Sequence, residues 1–182
     1  MAGRVTAAGP APPVDPARFR GLMARWATGV SVVTAHQGPG DAGLTVNALV
    51  SVSLTPPSLL VSVSRDADTL AAITASGRFG VSFLAADQRP LSERFAAPVS
   101  AEEKFRGVAI HRAPGGSPLL DGSIGAVECR LAQQIPAFDH VLLIGEVLHA
   151  ELGGDRPPLV FFRSSYATAE GADRLGLPPP RA

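Results

Sequence analysis

The chain has a single cysteine, Cys129, so no internal disulfide can form, and a reducing cytoplasmic compartment is expected. That cysteine lies in the strand-like run "AVECRLA", which predicts a buried, inert thiol rather than a nucleophile. Net charge is also missing. Sixteen Lys and Arg balance sixteen Asp and Glu, which leaves no electrostatic footprint for nucleic acid or an anionic membrane. Charged residues make up only 18% of the chain, below the roughly 25% usual for soluble domains, and this shortage predicts surface hidden in an oligomer. No apolar run is long enough to span a bilayer, and no basic-then-apolar segment suggests export. The four histidines show no metal-ligand spacing, so no metal is expected.

One domain is predicted over residues 15–170, between an Ala/Pro/Gly-rich arm at 1–14 and a Pro-rich tail at 171–182, both read as disordered. Asp15-Pro16 signals a helix start, followed by Phe19, Leu22, Met23 and Trp26 at helical spacing, a stripe expected to pack on a sheet. A short helix is predicted over Asp68 to Ser76, closed by Gly77. Another follows Pro90, anchored by Arg94 and Phe95, and Ser100 with Glu103 forms a capping box. The remainder reads as strands: "GVSVVTA", "RFGVSFLA", "GAVECRLAQQI", "HVLLIGEVLHAEL" and "PLVFFRSSY". Strands predominate without long strand–helix alternation, so the fold class is mainly β with peripheral helices, a closed or partly closed antiparallel barrel.

Gly38, Gly40 and Gly43 spell G-x-G-x-x-G after a strand, the pattern of a dinucleotide-binding turn. That chemistry needs a helix to begin at the glycines, so that its first amides meet a pyrophosphate. Here the period-2 run "LTVNALVSVSL" follows, and the glycines read as a hairpin turn.

From Gly43 to Ser64 there is no charged residue, but there are seven hydroxyl side chains. A hairpin with "LTPP" as its loop would pair Ser53 with Ser58, Ser51 with Leu60, Leu49 with Ser62 and Asn47 with Ser64. Val52, Val50 and Ala48 would then meet Leu59, Val61 and Val63 on the apolar face. This register gathers Thr45, Asn47, Ser62 and Ser64 at the open end, beside Arg65 and Thr69. Such a face is either simply solvated or suited to a heterocycle edged with carbonyls and ring nitrogens and carrying a phosphate.

The segments "TGVSVVT", "TVNALVSVSLTPPSLL", "QRPLSERFA", "KF" at Lys104 and Phe105, "DHVLLIGEV" and "FFRSSY" occur in one order across Phe19 to Tyr166. In this the chain resembles the flavin reductase family, the small reductase partners of two-component flavin monooxygenases. The resemblance implies an antiparallel Greek-key split barrel of the FMN-binding type, a homodimer, FMN or FAD as flavin, NADH or NADPH as reductant, and a monooxygenase receiving reduced flavin. It implies a flavin ring against Thr45, Val46, Asn47 and Ala48, and a phosphate end near Ser62, Ser64, Arg65 and Thr69. It also implies His140 beside the nicotinamide as a catalytic contact, with Arg163 and Tyr166 on the same side. One departure stands out: the family's glycine before the Asp139-His140 pair is Phe138 here, with bulk that could narrow the nicotinamide site.

Hydride transfer between two cofactor rings needs no protein nucleophile, so the protein's work is stacking, orientation and charge. Asp139 and His140 are adjacent, and in an extended strand they would point to opposite faces and form no simple dyad. Lys104 is the only lysine, in a chain that otherwise uses arginine. Two other functions share the residue pattern: a flavin-binding protein that stores or senses electrons without turnover, and a split-barrel enzyme for a deazaflavin or pyridoxal phosphate.

Overall fold

The structure, a computed structural model, describes residues 12–38 and 40–169; most of the predicted arm and the whole predicted tail lie outside them. In chain order the elements are α1 (Pro16–Met23), β1 (Thr28–Gly29), β2 (Ser31–Gln37), β3 (Gly40–Val46), β4 (Leu49–Leu54) and β5 (Pro57–Ser64). After these come α2 (Asp68–Ser76), β6 (Arg78–Phe83), a 3-10 turn at Ala86–Gln88, α3 (Arg89–Ala96) and α4 (Ala101–Phe105). The chain continues through β7 (Ile110–Arg112), β8 (Pro118–Leu120), β9 (Gly125–Ala137), β10 (His140–Leu152), β11 (Leu159–Phe162) and β12 (Ser165–Thr168). No described helix is long and apolar enough to cross a membrane.

Local signals placed several of these elements. The Asp15 carboxylate caps α1 by accepting from the Arg18 amide at 2.9 Å. Gly77, at φ 66°, closes α2 in the left-handed region where glycine carries no penalty. Ser100 and Glu103 form the predicted box on α4. The three-glycine motif is a β2–β3 hairpin, with Gln37 opposite Gly40, and no helix begins there.

Seven strands form one sheet in the order β3-β2-β6-β9-β10-β5-β4, every pair antiparallel. Its two edge strands, β3 and β4, are consecutive in the chain, with only Asn47 and Ala48 between them. Laid flat, neighbours about 4.8 Å apart would hold the edges roughly 29 Å from each other. Three Cα steps, Val46 to Leu49, reach at most about 11 Å. The sheet must therefore curl until its edges meet, and Asn47–Ala48 is the seam.

The barrel interior is filled by Val33, Ala35, Val61, Val63, Phe79, Val81, Cys129 and Leu143. A second apolar layer, with Val30, Val32, Leu84, Phe95 and Leu159, lies between the sheet and the small β1-β11-β12 sheet with α3. β2 is buried on both sides because Val33 and Ala35 join one layer and Val32 the other. Burial, with help from the Glu128 charge, pushes the Cys129 thiol up to about 12. The Glu128 carboxylate is itself 1% exposed. Desolvation pushes its pKa up, but Ser117, the Gly115 amide and Arg78 outweigh this and hold it below the usual range. Gly43 lets α3 sit tightly on β3: a Cβ there would lie 2.7 Å from Cε1 of the buried Phe95 ring.

Four expectations need correction. The α1 stripe does not pack on the sheet; no residue of α1 is buried, and Trp26 is 69% exposed. Helical spacing says which face is apolar, not what covers it. "PLVFFRSSY" is not one strand but β11, a turn with Arg163 and Ser164 at positive φ, and β12. The opening register holds only at Ser53–Ser58, because a bulge between Ser51 and Ser53 then pairs Ser51 with Leu59, Val50 with Leu60 and Leu49 with Val61. Beyond the bulge β4 is turned over, and Val50 and Val52, expected on the apolar face, are exposed on an edge strand, as is Leu54 at its loop end.

His111 ties the β7–β8 ribbon to the rest: its Nδ1 meets Asp121 Oδ1 at 2.6 Å and its Nε2 meets Glu151 Oε1 at 2.8 Å. The Asp121 hydrogen bond raises its pKa most, desolvation opposes, and Glu151 adds to the rise. A raised folded pKa stabilises fully below the unfolded value of about 6.5, and that stabilisation is lost as pH climbs through the folded value. We expect His111→Gln to lower the urea midpoint clearly at pH 6 and much less at pH 9. An equal gap at both pH values would refute the ion-pair account.

Candidate functional site

The seam places Thr45 and Val46 at the end of β3 and Asn47 and Ala48 just beyond. Thr45 stands opposite Val32, and its hydroxyl donates to the Ser92 carbonyl at 2.7 Å, tying β3 to α3. The Val46 side chain belongs to the barrel core, so only its backbone faces the seam. The Ala48 carbonyl accepts from the Ser62 amide at 3.1 Å, which continues the β4–β5 ladder. Asn47 lines two clefts at once and has no hydrogen-bond partner among the described residues.

One cleft, about 320 Å³, is walled by Trp26, Thr28, Ser31, Leu49 and Phe83. The other, about 190 Å³, is walled by Val30, Thr45, Ser92, Phe161 and Tyr166. Tyr166 is opposite Phe161 in the β11–β12 ladder, with ring centroids 5.6 Å apart at 69°. The Tyr166 hydroxyl meets Ser92 Oγ at 2.9 Å, and the Arg89 guanidinium lies 5.3 Å from the ring centre. The structure thus brings Thr45, Asn47 and Tyr166 together. Arg163 is elsewhere: its guanidinium lies over Phe162, and its amide donates to the Ala24 carbonyl.

A second neighbourhood lies at the β5–β10 end. Ser64 is opposite His140, Ser62 is opposite Leu142, and the Arg65 amide donates to the Asp139 carbonyl at 3.1 Å. Contrary to the alternation argument, His140 and Asp139 do pair, with Nδ1 2.9 Å from Oδ1. Asp139 belongs to the β9–β10 turn, not to a strand, and Phe138 before it has φ 57°, so alternation does not apply. The hydrogen bond from His140 holds the Asp139 carboxyl below the usual carboxylate range. Phe138 is 95% exposed and lines none of these clefts. Ser62 stays beside the seam, its amide bonded to the Ala48 carbonyl, while the bulge shifts β4 by one residue, so that Leu49 is opposite Val61 rather than Ser62.

Thr69 is buried in the first turn of α2 and borders a third cleft of about 390 Å³, with Asp66, Asp68, Ser100 and Lys104. The Lys104 Nζ donates to the Gly43 carbonyl at 3.2 Å, and burial lowers its pKa against the opposing pull of Asp68. The chain's single lysine thus stands at this cleft. Ser92 carried no signal of its own, since a serine within a helix is unremarkable. Among the described residues, no group of three or more His, Cys, Asp and Glu could hold a metal ion.

Uncharged donors and acceptors at a seam flanked by aromatic rings fit a flat heteroaromatic ring, while the third cleft sets Lys104 against Asp66 and Asp68. Comparison with known proteins agrees with this chemistry. The model of the flavin reductase like domain matches residues 23–170. A flavin reductase (NADH) of Kitasatospora aureofaciens is 40% identical over 161 residues, 85% of this chain and 82% of that protein. The reductase component of 4-hydroxyphenylacetate 3-monooxygenase from Thermus thermophilus is 35% identical, covering 81% of this chain and 93% of its own. The actinorhodin polyketide dimerase of Streptomyces coelicolor is 36% identical over 84% of this chain and 86% of its own. Among solved structures, the NADH:FAD oxidoreductase of Streptomyces globisporus C-1027, in complex with NAD and FAD fragments, superposes with a TM-score of 0.81 at 32% identity, covering 90% of this chain and all of that one.

Proposed function

The chain belongs to the flavin reductase like family, and on that premise we propose that it oxidises NADH, passes the hydride to a flavin and supplies the reduced flavin to a monooxygenase. The seam carries this reading: two clefts of unequal size share Asn47, so two rings can approach from its two sides. When bound, the nicotinamide supplies the hydride and the flavin accepts it. The chain's own residues orient and hold. The Asn47 amide and the backbone of Thr45, Val46 and Ala48 offer polar atoms to ring edges. Ser62, Ser64, Arg65 and Thr69 offer donors to a phosphate. His140, its ring oriented by Asp139, offers its other ring nitrogen at the β5–β10 end. We assign the activity to residues 15–170 and the protein to the cytoplasm, where the lone thiol of Cys129 stays reduced.

A second copy of this chain is part of the same reading. The exposed α1 residues Phe19, Leu22 and Met23, Trp26 just after the helix, and the exposed β4 residues Val50, Val52 and Leu54 offer uncharged apolar surface next to the 320 Å³ cleft, which Trp26 and Leu49 line. A homodimer would cover this surface and close the cleft. Light scattering on the purified protein should give twice the chain mass, and a monomeric mass would remove this part of the reading.

Anaerobic mixing with FMN or FAD and then NADH or NADPH tests the activity directly. We expect the flavin's visible absorbance to bleach at catalytic protein concentration, faster with NADH than with NADPH. Bound flavin without bleaching would instead mean a storage or sensing protein.

Among the described residues, Lys104 is the one cation lining the third cleft, against Asp66 and Asp68, and its ammonium is the charged donor there that a phosphate could meet. Lys104→Met would remove that donor and leave both carboxylates without a cation in the cleft, so flavin binding measured by fluorescence quenching should weaken about tenfold, one charge-assisted contact. Unchanged affinity would place the phosphate away from Thr69 and Lys104.

A further inference from the structure

We propose that Ser92 is a positioning residue, which through its hydroxyl holds Tyr166 so that the smaller cleft seats the nicotinamide ring of NADH; this rests on the flavin-reductase reading above. Ser92 is fully buried in the cleft wall, and its hydroxyl and carbonyl are both engaged by neighbouring residues. It joins two walls of the 190 Å³ cleft, because its carbonyl accepts from Thr45 and its hydroxyl meets Tyr166.

What makes Ser92 a reference point is the anchoring of α3. Phe95, one turn further on, is fully buried against Gly43 and meets Phe105 edge-on at 5.0 Å. Tyr166, by contrast, sits on β12, an edge strand of a three-stranded sheet, paired among the described residues with β11 alone. Its ring is fixed by Phe161 at its edge, Arg89 over its face and Ser92 at its hydroxyl. Of these, only Ser92 is both wholly buried and directional.

Of the two clefts that Asn47 borders, this is the smaller, 190 Å³ against 320 Å³, which suits the smaller of the two rings. Asn47 borders the same cleft with an unpartnered amide, a donor–acceptor match for a carboxamide.

The test is steady-state kinetics of the full chain with Ser92→Ala, Tyr166→Phe and the double variant, each checked for an unchanged melting profile. We expect each single change to raise KM for NADH about fivefold, the effect of one lost neutral hydrogen bond, with kcat and the flavin KM within about twofold. The double variant should be no worse than the more affected single one, because the two hydroxyls act as one pair. Tyr166→Phe removes an atom from a partly exposed side chain, so it reports even if Ser92→Ala fails to fold. An unchanged KM for NADH, a shift in the flavin KM instead, or additive effects in the double variant would overturn the role of Ser92 while leaving an active reductase. A wild-type chain that oxidises no NADH would overturn the reductase reading, and the role of Ser92 with it.

Discussion

Everything in this molecule depends on the two residues that join its outermost strands. Asn47 and Ala48 are too short a tether for a flat seven-stranded sheet, so the sheet has no choice but to roll up. Closure brings backbone that would otherwise be an unpaired edge into a confined place, which is where polar atoms are worth most to a ligand. The same tether explains the composition nearby. A link facing two clefts cannot carry long charged side chains without filling them, and residues Gly43 to Ser64 carry none.

Around the seam, apolar packing and polar geometry depend on each other. Phe95 needs the missing Cβ of Gly43 to lie flat on β3, and only in that position does α3 bring the Ser92 carbonyl to Thr45 and its hydroxyl to Tyr166. The barrel core and the second layer meet on β2, which is buried from both sides and hydrogen-bonded to β3 and β6. A rigid central strand next to the seam is a suitable foundation for holding two rings at contact distance.

Much of this was legible in the sequence wherever the signal was local. The α2 boundaries, the Gly77 stop, the Ser100–Glu103 box and the alternation of Leu59, Val61 and Val63 follow from rules that span a few residues. The rejection of the glycine motif was also local, since a period-2 run cannot start a helix. Failures occurred where a single residue changes the geometry. The bulge at Val52 inverts the far half of β4, and the positive φ of Phe138 lets Asp139 reach His140. Nothing in the residue pattern of "FFRSSY" marked the turn at Arg163 and Ser164, since neither residue is a usual turn former at positive φ. Long-range pairings were invisible for a different reason: Ser92 meets Tyr166 across 74 residues, and no periodicity reports that distance.

Burial of the lone cysteine has a consequence beyond packing. At neutral pH a thiol held at about 12 is ionised in roughly one molecule per hundred thousand, and the thiolate is the form that peroxide attacks. Free reduced flavin that escapes its acceptor reacts with oxygen and generates peroxide close to its source. A protein with this activity works in its own oxidant, and Cys129, sealed between Phe79 and Gly145 in the barrel wall, is chemically silent to it.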